Sequence, residues 1–179
     1  MSNIVILAGS ERKEGNTDLL VESFIKGAIK NNKIDVISVR DYRVNPCTGC
    51  NLCFDRKGHE CIQQDDMHVV YEKLKKANIL VIASPVYFYG ISAQLKAIID
   101  RLHTPMRNEF KIRKLALILV GVATLPDLFD SIKVQYRLVL KFFHLDDAGM
   151  VLVRGAKDKG DVNKTEGLVD AYELGKSME

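Results

Sequence analysis

At 179 residues the chain falls inside the roughly 50–250-residue range of one domain and is long enough to bury a sizeable core without covalent staples. Hydrophobic residues make up 47% and charged residues 27%, which excludes a disordered chain. The longest apolar run, residues 115–123, is far short of the ~20 needed to span a bilayer, and a formal charge of +3 without a basic, aromatic-interleaved stripe gives no footprint for nucleic acid.

Met1-Ser2-Asn3 runs straight into Ile4-Val5-Ile6-Leu7 with no basic n-region or cleavage site, so a cytoplasmic, unsecreted protein is expected. The run Asn3–Ala8 predicts a first strand. Gly9-Ser10-Glu11-Arg12-Lys13-Glu14-Gly15-Asn16-Thr17 follows it and opens a helix whose face carries Leu20, Phe24 and Ala28, with Asn16 or Thr17 as N-cap. This is where open α/β sheets dock phosphates, because N–H groups and the helix dipole point at the ligand. Ser10 and Thr17 bring hydroxyls, Asn16 an amide and Arg12 a planar cation. A polar βα turn explains the same residues, and Asp18 already occupies the positive end of the helix. The stretch lacks both GK[ST] and GxGxxG, which argues against nucleotide triphosphate hydrolysis.

Asp35–Val39 is shorter and more alternating, as suits an edge strand. Between Val39 and about Asp65 no period is visible, although βα loops usually take ~2–6 residues. All four cysteines fall here, as Cys47-Thr48-Gly49-Cys50-Asn51-Leu52-Cys53 and then Cys61. A secreted disulfide framework spreads its cysteines, so this clustering points to metal or redox chemistry in a reducing compartment. C-x₂-C-x₂-C-x₇-C suits four-fold ligation of one iron–sulfur cube. Zinc more often takes two separated C-x₂-C knuckles, and a bare thiol loop is the third option. His59 reads as a solvated loop residue.

Val69, Val70, Leu74 and Ala77 share a helical side before the strand Ile79–Ala83. Ser84-Pro85-Val86-Tyr87-Phe88-Tyr89-Gly90 then places together three of the chain's 13 aromatics (6 Tyr, 7 Phe). Pro85 stiffens this turn, Gly90 permits close approach, and the rings suit either a flat heterocycle or the end of the sheet. Leu95, Ile98, Ile99 and Leu102 follow Ser92 with helical spacing, and Lys96 and Asp100 are placed for a structural i,i+4 pair. A strand at Leu115–Val120, a helix carrying Leu128, Ile132, Tyr136, Val139 and Phe143, a strand at Met150–Val153 and a helix at Gly167–Met178 complete the chain.

Continuous Val/Ile/Leu strands alternating with helices predict one α/β domain over residues 1–179, with a doubly wound, five-stranded parallel sheet of flavodoxin-like order 2-1-3-4-5. In that order the switch point lies between strands one and three, so the Gly9–Thr17 loop faces the Ser84–Gly90 loop. A phosphate-type loop opposite an aromatic one suits a planar phosphorylated cofactor, and FMN fits.

Three motifs together resemble the NADPH-dependent FMN reductase superfamily, and within it the iron–sulfur flavoproteins: Gly9-Ser10-Glu11-Arg12…Gly15-Asn16-Thr17; Cys47…Cys50…Cys53…Cys61…Asp65-Asp66-Met67; and Ser84-Pro85-Val86-Tyr87…Ser92-Ala93-Gln94-Leu95-Lys96…Asp100-Arg101. The resemblance covers residues 3 to about 103, the rest matching in strand–helix rhythm. It implies FMN with its phosphate on Ser10, Arg12, Gly15, Asn16 and Thr17 and its ring against Pro85, Val86, Tyr87, Phe88 and Gly90. It further implies a [4Fe–4S] cluster on Cys47, Cys50, Cys53 and Cys61, NAD(P)H as donor, a small redox partner or small-molecule acceptor, and a homodimer or homotetramer. Two alternatives remain: a cluster-free NAD(P)H-dependent FMN, quinone or nitro reductase, and a non-enzymatic flavodoxin-like carrier or zinc-stapled module.

Overall fold

The computed structural model describes residues 1–178. Five parallel strands, β1 (Ser2–Ala8), β2 (Asn32–Ser38), β3 (Ile79–Pro85), β4 (Lys114–Val120) and β5 (Asp146–Val153), lie in the order β2-β1-β3-β4-β5. The register sets Ile4 beside Ile34 and Ile79, and Ile79 beside Lys114. Each central strand alternates between two apolar layers. Ile4, Ile6, Val81, Ala83 and Ile118 face α1 (Asn16–Ala28) and α6 (Gly167–Lys176). Val5, Leu7, Leu80, Ile82, Leu117 and Leu119 face α3 (Met67–Lys76), α4 (Ala93–Asp100) and α5 (Asp130–Phe143). Glycine lets α1 and α6 approach backbone to backbone: a Cβ on Gly27 would sit 2.1 Å from the Tyr172 carbonyl oxygen, and one on Gly175 as close to that of Phe24.

The structure departs from the sequence reading in its edges and caps. β2 begins at Asn32 and ends at Ser38. Its start is fixed by the Asn32 side chain, which accepts from Ser2 N–H and donates to the Ala28 and Met178 carbonyls, contacts that leave no periodic trace. β5 starts at Asp146, four residues before its apolar part, because Asp146 N–H bonds the Arg113 carbonyl and a bulge at Leu115/Ala116 takes up the offset. In α3 the core position falls to Tyr71, while Val69 stays half-buried. Gly15, not Asn16 or Thr17, is the N-cap of α1, and no side chain caps that end. The stretch between β2 and α3 contains one short helix, α2 (Leu52–Asp55). No helix among the described residues is long and apolar enough to cross a membrane.

Candidate functional site

The loop leaving β1 is built for rigidity. Gly9 N–H bonds the Ala83 carbonyl at 2.8 Å, and a Cβ on Gly9 would fall 2.7 Å from Leu95 Cδ2, so this turn packs directly on α4. Ser10, only 3% exposed, accepts Arg12 N–H through Oγ at 3.2 Å. Arg40 then gathers the loop from beneath: its guanidinium donates to the Ser10 and Arg12 carbonyls at 2.8 and 3.0 Å and pairs with Asp18 at 3.0 Å. Asp18 also accepts Glu14 N–H at 2.8 Å, so its charge is turned back into the loop and does not fill the helix end. Without a capping side chain, the first N–H groups of α1 retain their positive partial charge for a ligand. Thr17 is buried and lines the adjoining cleft.

Asn16 lines the cleft and also braces the fold. Its amide donates to the Asp158 carbonyl at 2.9 Å and accepts from Gly160 and Val162 N–H, stapling the segment after β5 across the sheet end. Arg12 likewise reaches the Lys157 carbonyl at 3.2 Å. Gly15 stands behind the cleft wall, its Cα hydrogens against Arg12, where a Cβ would meet the Arg12 carbonyl oxygen at 3.1 Å.

Across the cleft, β3 leads into a hairpin. Tyr87 and Gly90 exchange both backbone hydrogen bonds, at 2.9 and 3.0 Å, and the two residues between them, Phe88 and Tyr89, have φ of 47° and 62°. Two left-handed residues between a bonded pair make a type I′ turn, a geometry that favours Asn-Gly and costs L-residues roughly 1–2 kcal/mol each. The expected role of Gly90 therefore shifts: the strain sits on the aromatics before it, while a Cβ on Gly90 would have ordinary room. Ser84 Oγ accepts Ser92 N–H at 3.0 Å and Ser131 Oγ donates to the Tyr89 carbonyl, which together hold the turn. Phe88 is 99% exposed and is not among the residues that line the cleft.

Ser10, Arg12, Asn16, Thr17, Pro85, Val86 and Tyr87 thus converge on one cleft at the switch point, joined by Val120, Gly121, Val122, Ala156 and Lys157. The last five escaped sequence reasoning. Only Gly121, directly after the fourth apolar run, carried a local signal: a Cβ there would lie 2.7 Å from Leu128 Cδ2.

The cysteine segment is moored at its base. Asp65 accepts Asn45 and Met67 N–H at 2.9 and 3.2 Å and pairs with Arg101, while Asp66 accepts Arg43 N–H at 2.7 Å. Burial opposes the Asp65 carboxylate, but Arg101 and these two N–H groups outweigh it and hold its pKa below the usual value. Beyond the base, Thr104 donates to the His59 carbonyl at 3.3 Å, and the half-buried His59 ring bonds the Cys53 carbonyl at 3.1 Å rather than standing in solvent. Cys47 and Cys50 are exposed, Cys53 and Cys61 half-buried.

Two features of this segment suit sulfur ligands. Gly49 N–H approaches Cys47 Sγ at 3.5 Å, and the Leu52 N–H, followed by the Thr48 hydroxyl, lowers the Cys50 thiol pKa. Left-handed Gly49 and Asn51, with φ of 68° and 59°, bend the chain between the thiols. Among the described residues no three ligand side chains converge on one point, so ligation of a single cluster requires the segment to close. That is physically reasonable, since mutually repelling thiolates gather only around a compensating cation and metal sites are seldom preformed. The donor set of four cysteines fits an iron–sulfur cluster.

A family model described as NADPH-dependent FMN reductase matches residues 2–157. An iron–sulfur flavoprotein of Methanocaldococcus jannaschii is 39% identical over 111 residues, which cover 62% of this chain and 56% of that protein. An iron–sulfur flavoprotein of Archaeoglobus fulgidus is 28% identical over 162 residues, 90% of this chain and 80% of that one. The first of these matches spans little more than half the relative's own length. In fold, the chain is similar to an NAD(P)H:quinone oxidoreductase of Methanothermobacter marburgensis, with a TM-score of 0.77, 18% identity and 99% of both chains covered.

Proposed function

Given that the chain belongs to the NADPH-dependent FMN reductase family, we propose that it is an FMN-dependent, NAD(P)H-linked oxidoreductase of the iron–sulfur flavoprotein kind, exchanging electrons between FMN and a [4Fe–4S] cluster on Cys47, Cys50, Cys53 and Cys61. The observation that carries this is the cleft at the β1/β3 switch point, where an uncapped helix start, Ser10 and Thr17 share one lining with Pro85 and Val86. When bound, FMN supplies conversion between two-electron and one-electron transfer, and the cluster supplies a one-electron store.

The chain's own part is binding and orientation. The α1 N–H groups and Thr17 hold the phosphate, with Ser10 and Arg40 fixing the loop that presents them. Pro85, Val86 and Tyr87 form an apolar wall for the ring, and the Val120–Val122 segment closes the floor, tied to the sheet by Val86 N–H to the Val120 carbonyl at 2.8 Å. No side chain acts as acid or base in this scheme. Exposed Phe88 and the α5 stripe Val134, Leu138 and Phe142 support a homo-oligomer in which a second copy covers these groups. A small redox partner or small-molecule acceptor takes the electrons.

Oxygen-free purification tests the reading: FMN and about four irons per chain are expected, with broad absorption near ~400 nm over the flavin bands. Protein without flavin after incubation with excess FMN ends it. Flavin without iron leaves the second reading, a cluster-free NAD(P)H-dependent FMN, quinone or nitro reductase in which the exposed Cys47 and Cys50 stay free thiols. Light scattering checks the oligomer, which a monomer at micromolar concentration would contradict.

A further inference from the structure

Arg101 ends α4 with its side chain 2% exposed, and only one of its three nitrogens is engaged. Nη1 donates to the Asn45 carbonyl at 3.2 Å and pairs with Asp65. Nε and Nη2 have no hydrogen-bond partner among the described residues. A guanidinium cannot shed its charge, so orphaned donors at this depth call for an acceptor that the surrounding polypeptide does not supply. The neighbours are already committed. Asp65 takes Nη1 and two backbone N–H groups, and the Tyr71 hydroxyl donates to the Arg101 carbonyl at 2.7 Å. Besides the Tyr71 hydroxyl, which also interacts with the guanidinium, the groups left are sulfur. Cys61 lies within electrostatic reach of Arg101, and both Cys53 and Cys61 lie within reach of Tyr71.

We propose that Arg101 is a positioning residue for the iron–sulfur site: its Nε and Nη2 N–H groups hydrogen-bond sulfur on the Cys53–Cys61 side of the cluster and raise the cluster's reduction potential. The inference rests on the cluster reading above. One-electron reduction, with the electron drawn from the titrant, adds one negative charge to the site and neither makes nor breaks a bond. A buried cation with two donors on sulfur favours that added charge.

The rival account is that Arg101 merely moors the segment through Asp65. Arg101→Lys retains the charge and a partner for Asp65 but removes the Nε and Nη2 donors; Asp65→Asn breaks the pair and keeps both donors. Oxygen-free protein is assayed for iron, sulfide and FMN, then titrated with EPR detection of the reduced cluster. Arg101→Lys should keep its flavin and lower the potential by about a tenfold change in the reduction equilibrium, ~59 mV for one electron. Asp65→Asn should not lower it. Iron lost from Arg101→Lys but kept by Asp65→Asn, with flavin present in both, also supports the proposal. A wild-type potential in Arg101→Lys, an equal fall in both variants, or iron loss from both overturns it. Iron-free wild-type protein is a separate failure, that of the cluster reading itself, and is seen before any variant is made.

Discussion

The switch-point cleft and the cysteine segment leave the same edge of the sheet but are built in opposite ways. In the cleft, Arg40 binds two carbonyls and a carboxylate of the β1 loop, Asn16 makes three bonds to the segment after β5, and Ser84 ties the β3 turn to Ser92. Its polar framework is complete before any ligand arrives. The cysteine segment is fastened at its base by Asp65 and Asp66, while its distal thiols, Cys47 and Cys50, stand in solvent. The ligands proposed for the two regions account for the difference. A flavin phosphate is bound by dipoles that can be arranged in advance, which lowers the entropy lost on binding. Four thiolates cannot be held together without a cation that neutralises them, so the proposed cluster site would form with its metal.

The comparison breaks most easily at Asp65. Asp65→Ala leaves the buried Arg101 charge unpaired, and removing one member of a buried pair costs roughly 3–5 kcal/mol. Urea unfolding should register that loss, while the FMN affinity of the folded protein moves by less than about threefold. A large drop in flavin affinity would show that the two regions are one cooperative unit. Thr17→Val probes the other side. Losing one hydroxyl donor to a charged phosphate should weaken FMN by about 1.5–3 kcal/mol, roughly 10–100-fold in Kd by flavin fluorescence, with little change in unfolding midpoint. An unchanged Kd would move the phosphate away from α1.

These same particulars mark what the sequence could reveal. β1, β3 and β4 were legible because strands covered on both faces are written as unbroken Val/Ile/Leu runs. α4 was legible because Ser92 caps it, accepting Leu95 N–H, before a regular apolar stripe. From the strand order came the meeting of Ser10 and Thr17 with Pro85 and Val86. The braces remained hidden. Arg40 to Ser10 spans 30 positions and Asn16 to Asp158 spans 142, and such bonds between distant segments have no period and no neighbour in sequence. For the same reason the bracing role of Asn16 and the pairing of Arg101 with Asp65 were not legible, although Arg101 stood in a motif that carried the family resemblance. Phe88 is a different case: its left-handed backbone and nearly full exposure leave no trace in the sequence.

That turn is itself a smaller test of how much strain the cleft carries. Replacing Phe88-Tyr89 by Asn-Gly gives the type I′ turn its preferred residues and should stabilise the isolated chain by about 1–2 kcal/mol, since within one chain Phe88 buries almost nothing. A rise in Tm of roughly 2–8 °C, with FMN affinity retained, is expected. A fall in Tm would mean that the edge contact between the two rings, 6.3 Å apart, outweighs the backbone strain.

The gentlest probe is acid. The Asp65 carboxyl has its pKa lowered in the folded chain despite its burial, so the folded state binds its proton less readily than the unfolded chain does. By linkage, its contribution is complete above the unfolded carboxyl value of about 3.9 and is lost as pH falls through the lower, folded value. The stability gap between wild type and Asp65→Asn should therefore be constant from neutral pH down to about pH 4 and narrow only below it. Thermal melts at a series of pH values read this directly. A gap that closed well above pH 4 would mean that burial, not Arg101, governs this carboxyl, and the mooring of the cysteine segment would then be an uncharged one.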